Sequence, residues 1–344
     1  MPKNVSFIVE GLGYGHAARM LPVISRTGGS VLSYGQGSEY LKESHVDVID
    51  VEQPYDIKLG QEGLDVTASI AEIVKRFDPK TIDTAKKAIE GSDLVVIDSS
   101  MFGLMLSTML KKKVIFVSNN TDNSVFFSGM QKALVKGLDK FFSSAFSSSN
   151  IVAVPDFPLP YAICAKNIHH NLPKTTEFLG PMVDLSSIRK VKNSSIVLNL
   201  GAGFNTESGI AEVAKQMKDY NFIMRGTKPR EGNLIYVENV REFVGGSMLN
   251  VLHGGHTGIM ESIMARKPMV CIPNPRYPER VNNCRMVKEL GIGEYLEQSS
   301  LNEYSLSMAI EKARRLRRNL DVFYRTGKKM NGIKNLISLI ESNA

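Results

Sequence analysis

The sequence has few cysteines and no long hydrophobic run, and both shortages restrict the kind of protein it encodes. Its three cysteines, Cys164, Cys271 and Cys284, show no metal-binding spacing and no even number that could form a set of disulfides. This usage predicts a reducing compartment, the cytoplasm. The longest nearly apolar run, 101–110, is far shorter than the roughly 20 residues that a membrane-spanning helix needs. We therefore expect no transmembrane helix.

An Asp-x-Asp motif is also absent, so the chain offers no obvious carboxylate pair to hold a metal ion on a diphosphate. We predict neither a metal nor a cofactor. Positive charge, by contrast, is in excess: the net charge is +7, and segment 311–334 alone has nine basic and two acidic residues. Such a surface attracts anionic lipid or an acidic substrate, although a solvated helix face has the same composition. No RNA-binding motif accompanies it, so nucleic acid is not expected as a partner.

The 344 residues, 43% of them hydrophobic, are enough for two domains of about 150 to 200 residues each. Strands alternate with helices through both halves, which predicts an α/β fold. The polar segment 184–194 follows a Gly-Pro pair and is the expected boundary. We predict an N-terminal domain at 1–184, a C-terminal domain at 185–321, and a last helix near 322–344.

A glycine-rich loop follows the first predicted strand, 5–9, and precedes a helix. Its glycines, Gly11, Gly13 and Gly15, are spaced G-x-G-x-G, whereas dinucleotide-binding loops have G-x-G-x-x-G. The second strand also lacks a terminal acid for a ribose hydroxyl, so NAD binding is disfavoured. His16 follows at the helix start, where the helix dipole favours a neutral imidazole that can accept a proton. A polar cap without chemistry is the alternative.

Asp98 ends a strongly apolar strand predicted at 93–98. Ligands of open α/β sheets bind at the carboxyl ends of the strands, where Asp98 and His16 would meet. A role for Asp98 as a turn or helix cap remains open.

The most informative stretch lies between a strand at 248–252 and a helix. Its loop contains His253, Gly254, Gly255, His256, Thr257 and Gly258. The first amides of a helix have no intrahelical partners and lie at the positive end of the dipole, so they suit a phosphate. Glu261 lies one turn further and could accept hydrogen bonds from two ribose hydroxyls. An ordinary strand-turn-helix unit is the alternative.

The residues that follow make the pattern specific: a strand at 268–272, Pro273, Glu279-Arg280 and Asn283. Stretch 250–283 resembles the donor-binding signature of GT-B glycosyltransferases, the group of the UDP-glycosyltransferases and the MurG-like N-acetylglucosaminyltransferases. The positions that match are Gly254, Gly255, Thr257, Glu261, Pro268, Pro273, Glu279 and Asn283. Arg280 stands where glutamine is usual, which leaves the donor sugar open.

The resemblance implies two Rossmann-like domains that face each other across a cleft, with the final helix crossing back to the first. It implies that His16 is the base for the acceptor, oriented by Asp98, and that Asn119 and Asn120 face the acceptor. It implies donor contacts from both halves of the chain, at Gly13, Gly15, Gly201, Ala202, Gly203, Phe243, Val244, His253, Gly254, Gly255, His256, Thr257, Gly258, Glu261, Glu279 and Arg280.

The expected function is inverting, metal-independent transfer of a sugar from a nucleotide-diphosphate sugar, a UDP-hexose or UDP-N-acetylhexosamine, to an acceptor hydroxyl. A helix predicted at 126–142 has one phenylalanine-rich and one lysine-rich face, typical of a helix that lies on an anionic membrane, although a core-facing helix has the same pattern. We therefore expect a lipid-linked acceptor and a cytoplasmic protein peripheral to the membrane. The alternatives are a nucleotide-sugar 2-epimerase and a non-catalytic nucleotide-sugar-binding protein.

Overall fold

The computed structural model describes residues 4–54, 78–122, 149–168, 175–188, 194–201 and 207–344. The chain divides into two compact units. The first contains Met1–Pro158, Asn167–Met182 and Asn331–Ala344, and the second contains Leu159–Lys166 and Val183–Met330. The predicted domains differ in detail, because 159–166 belongs with the second unit and the return to the first begins at 331.

The first unit is built on a seven-stranded parallel sheet with the order β3-β2-β1-β4-β5-β6-β7. The order reverses direction beside β1 and β4, which therefore form the centre of the sheet. Its strands are β1 (Val5–Val9), β2 (Ser30–Ser33), β3 (Val48–Asp50), β4 (Leu94–Asp98), β5 (Lys113–Val117), β6 (Ile151–Val154) and β7 (Thr176–Phe178). In such sheets the crevice for ligands lies outside the carboxyl ends of the strands at this switch point.

Helices cover both faces of this sheet. They are α1 (Tyr14–Thr27), α2 (Gly35–Glu43), α3 (Pro79–Glu90) and α4 (Met101–Met109), together with a helix from the end of the chain, α11 (Gly332–Asn343). On one face, α1 and α11 share a core in which Met20, Val23, Ile333 and Leu336 are buried. On the other, α3 and α4 pack over Ile8 and its neighbours. Both faces are buried, so the central strands are continuously apolar, as is usual for parallel sheets.

The second unit repeats this plan with a six-stranded parallel sheet, β10-β9-β8-β11-β12-β13. Its strands are β8 (Ile196–Asn199), β9 (Phe222–Arg225), β10 (Leu234–Val237), β11 (Leu249–Leu252), β12 (Met269–Cys271) and β13 (Glu294–Tyr295). Its helices are α5 (Glu207–Gln216), α6 (Arg241–Val244), α7 (His256–Met264), α8 (Pro278–Glu289), α9 (Glu303–Arg315) and α10 (Arg317–Met330).

A buried polar chain ties α7 to β11. Ser247 Oγ donates to Asn250 Oδ1 at 2.8 Å, and Asn250 Nδ2 donates to Ser262 Oγ at 3.0 Å. All three side chains are buried, and each hydrogen bond offsets the desolvation of the polar groups it joins. The network fixes the start of α7 relative to the strand that leads into it.

The C-terminal helices differ from their prediction as one long helix near 322–344. Two helices are present, α10 and α11, separated at Asn331, whose φ of 48° is left-handed. The Asn331 side chain accepts from the amide of Lys334 and caps α11. Asparagine tolerates this backbone conformation and favours helix N-caps, so the break has a local cause that the hydrophobic pattern does not show. None of the helices in the described ranges is long and apolar enough to cross a bilayer.

Candidate functional site

A buried carboxylate of the first unit, that of Glu10, fixes the start of the glycine-rich loop after β1. Glu10 Oε1 accepts from the Leu12 amide at 3.0 Å and from the Tyr34 hydroxyl at 2.5 Å. Gly13 then has a φ of 86° at the N-cap of α1, a conformation that favours glycine. No described atom lies within 4 Å of the place where a Cβ would stand on Gly13. The loop is therefore rigid at its base and open at its tip, next to His16.

His16 and Asp98 meet as predicted for an oriented base. Asp98 ends β4, and its Oδ1 lies 2.8 Å from Nδ1 of His16 in the first turn of α1. The Asp98 side chain is fully buried, whereas a quarter of the His16 side chain is exposed. The histidine can thus reach a substrate while the carboxylate stays inside the protein.

Arg19, which the sequence analysis did not single out, completes this cluster. Its Nε donates to Asp98 Oδ2 at 2.6 Å, and its Nη2 donates to Asp98 Oδ1. Burial by itself raises the pKa of Asp98, but the charge of Arg19, together with His16 and the hydrogen bonds from both, outweighs burial and lowers it to about 2. Asp98 is therefore ionised at neutral pH.

The ionised carboxylate determines which nitrogen of His16 holds the proton. A carboxylate only accepts hydrogen bonds, so the 2.8 Å contact requires Nδ1 of His16 to be the donor. Nη2 of Arg19, 3.2 Å from the same Nδ1, then gives its hydrogens to Asp98 and to Ser99 Oγ instead. Nε2 of a neutral His16 is left with its lone pair, which a general base requires.

The two asparagines predicted to face an acceptor differ in their surroundings. Asn119 is 5% exposed, and its Oδ1 accepts from Nη1 of Arg19 at 2.9 Å, so it extends the buried cluster. Asn120 Oδ1 is buried without a hydrogen-bond partner among the described residues. A buried carbonyl of this kind is costly unless a ligand or water satisfies it. The Asn120 side-chain carbonyl is thus available to a ligand, whereas the Asn119 side-chain carbonyl is bonded to Arg19.

In the second unit, the segment His253–Gly258 (the donor loop) comprises the connection after β11 and the first residues of α7. Gly254 has a φ of 84°, and a Cβ there would lie 2.4 Å from Cys284 Sγ and 2.6 Å from the Arg280 carbonyl oxygen. Asn283 Nδ2 also donates to the Gly254 carbonyl at 3.0 Å. Gly254 thus serves close packing on α8. Gly255 is exposed with open space around its Cα, so this second glycine leaves room for a ligand near the first turn of α7.

His253 begins the donor loop in an unusual state. Its side chain is 2% exposed, and neither ring nitrogen has a hydrogen-bond partner in the described part of the chain. Burial lowers its pKa, and the charge of Arg280 lowers it further, to about 4. His253 is therefore neutral at pH 7 and can donate one N–H to an anion. Unpaired buried nitrogens are rare in proteins, and a ligand is one means of satisfying them.

Glu261, predicted to bind ribose, lies in the second turn of α7 with 2% of its surface exposed. Arg241 of α6 donates to Glu261 Oε1 from Nε at 2.7 Å and approaches the same oxygen with Nη2 at 2.6 Å. The ion pair fixes the position of the Glu261 carboxylate, and its second oxygen lies outside these two contacts. Arg241 had no sequence signal, because 20 residues separate it from its partner.

The remaining predicted donor residues lie around the same loop. Val244 is buried in a core with Val197 and Ile223, so its side chain is not available to a ligand. Glu279 is in the first turn of α8 and is partly buried. The Arg280 guanidinium lies 4.9 Å from the centre of the Tyr277 ring. Further predicted positions are Phe243 and Thr257 (partly buried), His256 (buried) and Gly258 (partly buried).

The second glycine-rich loop is only partly described. Gly201 is exposed after β8 with a φ of 76°, while Ala202 and Gly203 lie outside the described residues, as does the predicted helix at 126–142. Gly15 is partly buried in the first turn of α1.

Arg19 had a signal in the sequence that could have revealed it. It lies three residues after His16, and positions three apart on a helix share a face. It also interrupts the apolar stretch of Ala17, Ala18 and Met20, all of them buried. A charged residue among core positions is seldom buried without a partner, and the nearest acid at the same sheet edge is Asp98.

Comparisons with known proteins agree with the fold. The model of the glycosyltransferase family 28 C-terminal domain matches residues 203–339. An uncharacterized glycosyltransferase of Methanosarcina acetivorans is 26% identical over an alignment of 374 residues that covers 98% of each chain.

Solved structures show the same architecture. The glycosyltransferase SnogD from Streptomyces nogalater superposes with a TM-score of 0.69 at 16% identity, over 99% of this chain and 100% of that one. The glycotransferase of kitacinnamycin gives a TM-score of 0.69 at 16% identity over 99% of both chains. Two parallel-sheet α/β units give this protein the GT-B fold, and the family 28 match over 203–339 together with the full-length relative indicates a glycosyltransferase.

Proposed function

We propose that the protein transfers a sugar from a UDP-hexose or UDP-N-acetylhexosamine to an acceptor hydroxyl, with inversion and without a metal ion. The observation that carries the proposal is the 2.8 Å contact between His16 Nδ1 and the fully buried Asp98. It leaves Nε2 of His16 as a proton acceptor on a partly exposed ring. The absence of an Asp-x-Asp motif supports a reaction that needs no metal clamp.

In the proposed reaction, the acceptor oxygen attacks the anomeric carbon as its proton passes to Nε2 of His16. The bond between that carbon and the diphosphate breaks, and the nucleoside diphosphate leaves with both bonding electrons. Its developing charge is stabilised by the first-turn amides of α7 and by an N–H of neutral His253. Attack from the face opposite the leaving group inverts the anomeric configuration.

The proposed binding of the nucleotide-sugar donor rests on residues of the second unit. His253 has two buried nitrogens that find no partner among the described residues, and Gly255 leaves space at the start of α7. Glu261, held by Arg241, is proposed to accept hydrogen bonds from the ribose hydroxyls. Replacement of Glu261 by Gln should weaken UDP binding measured by calorimetry at least about tenfold, because the acceptor then loses its charge. An unchanged affinity would place the ribose elsewhere.

The central test is His16→Asn, compared with His45→Asn as its matched control. His45 is exposed, and asparagine tolerates its positive φ of 61°. Each variant is incubated with a panel of UDP-sugars and candidate acceptors, with and without a chelator, and release of UDP is measured. His16→Asn should lose about 100-fold or more in rate while UDP affinity persists. Equal rates in the two variants would assign the base to another residue.

We further propose that the acceptor is lipid-linked and that the protein docks on anionic membrane. Helices α9 and α10 support this, because their exposed basic residues cluster along a short segment. These residues are Lys312, Arg314, Arg315, Arg317, Arg318, Arg325, Lys328 and Lys329. Each basic residue near an anionic surface contributes about 1 kcal/mol of attraction.

Vesicle flotation tests this docking. The wild-type protein should float with phosphatidylglycerol vesicles at low salt and remain unbound with phosphatidylcholine. Lys328→Glu with Lys329→Glu should weaken flotation, whereas Lys80→Glu with Lys86→Glu, the same charge change on exposed positions of α3, should not. Equal effects of the two pairs would indicate that flotation depends on net charge and not on α10. If the wild-type protein does not float, the proposed membrane docking is wrong.

Two other functions fit part of the same site, and each predicts a different result. A nucleotide-sugar 2-epimerase would convert the sugar with no acceptor present, which NMR of the donor after incubation would reveal. A non-catalytic nucleotide-sugar-binding protein would bind UDP and show no turnover with any acceptor. The ordered His16–Asp98–Arg19 cluster favours a catalytic protein, because a binding protein has no use for an oriented base.

A further inference from the structure

Arg19 is a buried cation inside the first unit, and its surroundings explain why it is there. Its side chain is 3% exposed, in a helix whose neighbouring positions are apolar. A buried guanidinium is costly unless it is paired and hydrogen-bonded. Arg19 donates to both oxygens of Asp98, to the Oδ1 of Asn119 and to the Oγ of Ser99, so four described acceptors surround it.

The paired hydrogen bonds from Arg19 to Asp98 affect how many protons Asp98 and His16 hold together. Without Arg19, the buried pair of Asp98 and a neutral His16 would carry one uncompensated negative charge. Burial disfavours such a charge, so the pair would take up a proton. The proton would lie either on Asp98, which then donates to Nδ1 of His16, or on His16 itself. In both arrangements Nε2 of His16 carries a hydrogen and cannot accept one.

We infer that Arg19 is the positioning residue that keeps Nε2 of His16 free, by supplying the positive charge that Asp98 would otherwise obtain from a proton. The inference rests on the proposed function of His16 as the acceptor base. Arg19 does not touch the substrate and acts through Asp98. It keeps the Asp98 carboxylate ionised and oriented to accept the hydrogen bond from Nδ1–H of His16. Asn119 accepts a hydrogen bond from Nη1 of the same guanidinium, and we assign it the same positioning role.

The charged and titratable groups that hydrogen-bond to the pair are few. Within the described ranges, Arg19 from α1 is the charged group bonded to Asp98 and His16, and the loop after β5 contributes the neutral Asn119. The net charge of the cluster is therefore set by Arg19, Asp98 and His16. A variant at position 19 changes that charge directly.

The test follows the His16 ring by NMR in the full chain labelled with nitrogen-15 histidine. The chain has six histidines, and His16→Gln identifies the signals of His16. At neutral pH the wild-type ring should be protonated at Nδ1 and bare at Nε2. In Arg19→Gln, Nε2 should be protonated. In Arg19→Lys, which keeps the positive charge, Nε2 should again be bare. Arg26→Gln, an exposed arginine near the end of the same helix, is the matched control and should resemble the wild type.

Activity gives a second readout. At neutral pH the kcat/KM of Arg19→Gln should fall about 100-fold, and it should recover as pH rises and the extra proton leaves; a purely structural role would not produce this recovery. UDP affinity should be unchanged. Because the NMR result needs neither donor nor acceptor, it separates this inference from the proposed transfer: a correct proton pattern without turnover would contradict the function alone.

A bare Nε2 in folded Arg19→Gln, or a protonated Nε2 in Arg19→Lys, would overturn the inference. If Arg19→Gln fails to fold, Arg19→Gln combined with Asp98→Asn must fold, because the double variant has no unpaired buried charge. Failure of the double variant to fold would show that Arg19 acts by packing, and would overturn the inference as well.

Discussion

His253 is a buried neutral histidine, and its protonation differs between the folded and the unfolded chain. Its pKa in the folded protein is about 4, lowered by burial and by the charge of Arg280, whereas an unfolded histidine titrates near 6.5. Below pH 6.5 the unfolded chain therefore binds a proton that the folded chain does not. The contribution of His253 to stability is complete above pH 6.5 and is lost as pH falls toward 4.

We predict that the free energy of unfolding falls between pH 6.5 and pH 4 by on the order of 3 kcal/mol on account of this residue. Chemical denaturation at several pH values measures the slope. His253→Gln should flatten it by that amount, whereas His45→Asn, at an exposed position, should leave it as in the wild type. Parallel slopes in His253→Gln and the wild type would contradict the low pKa.

The two glycines of the donor loop are predicted to respond oppositely to alanine. At Gly254 a methyl group would overlap Cys284 and the Arg280 carbonyl, in a left-handed backbone conformation. Gly254→Ala should cost at least about 2 kcal/mol in the free energy of unfolding. At Gly255, φ is −62° and the space is open, so Gly255→Ala should change stability by no more than about 0.5 kcal/mol.

Urea denaturation compares these two variants directly. Calorimetry with UDP adds a second comparison, because the methyl group of Gly255→Ala projects into the space proposed for the ligand. Its affinity should fall although its stability does not. A Gly255→Ala protein that binds UDP as tightly as the wild type would show that the diphosphate does not approach this residue.

At the scale of secondary structure, α11 belongs to the core of the first unit although it comes last in the chain. Ile333, Leu336 and Ile340 repeat at helical spacing and are buried against α1 and the sheet. Leu336→Ala should therefore lower the free energy of unfolding of the first unit by about 2 to 5 kcal/mol. Lys334→Ala, exposed on the same helix, should change it by no more than about 0.5 kcal/mol. Equal effects would mean that α11 packs less closely than described.

The elements themselves were largely predictable, and their ends less so. The strand at 5–9 has the predicted bounds, because the glycine-rich loop ends it, whereas the strand predicted at 93–98 begins one residue later, at Leu94. The loop predicted to contain 253–258 is shorter, because α7 already begins at His256. Gly255, in an extended conformation, is its cap, and glycine at a cap gives no hydrophobic signal.

At the scale of the whole molecule, the two units divide the proposed chemistry: the base belongs to the first and the diphosphate site to the second. Saturating UDP should slow hydrogen exchange of the backbone amides within 254–262, because the first-turn amides of α7 would bind phosphate oxygens. Uridine, which lacks the diphosphate, is the control and should leave these amides unprotected. Protection by UDP that is absent from 254–262 would contradict the donor loop as the diphosphate site.

The sequence by itself determined the α/β class, the two-unit organisation and the two glycine-rich loops, because these depend on local periodicity, turn residues and motif spacing. It also indicated His16 and Asp98, since both stand at strand ends that a parallel sheet brings to one edge. Only the tertiary structure decided how the charges are balanced. Arg19 neutralises Asp98 from across 79 residues of chain, and Arg241 neutralises Glu261. Such pairs depend on burial and on distances between side chains, which no local pattern contains.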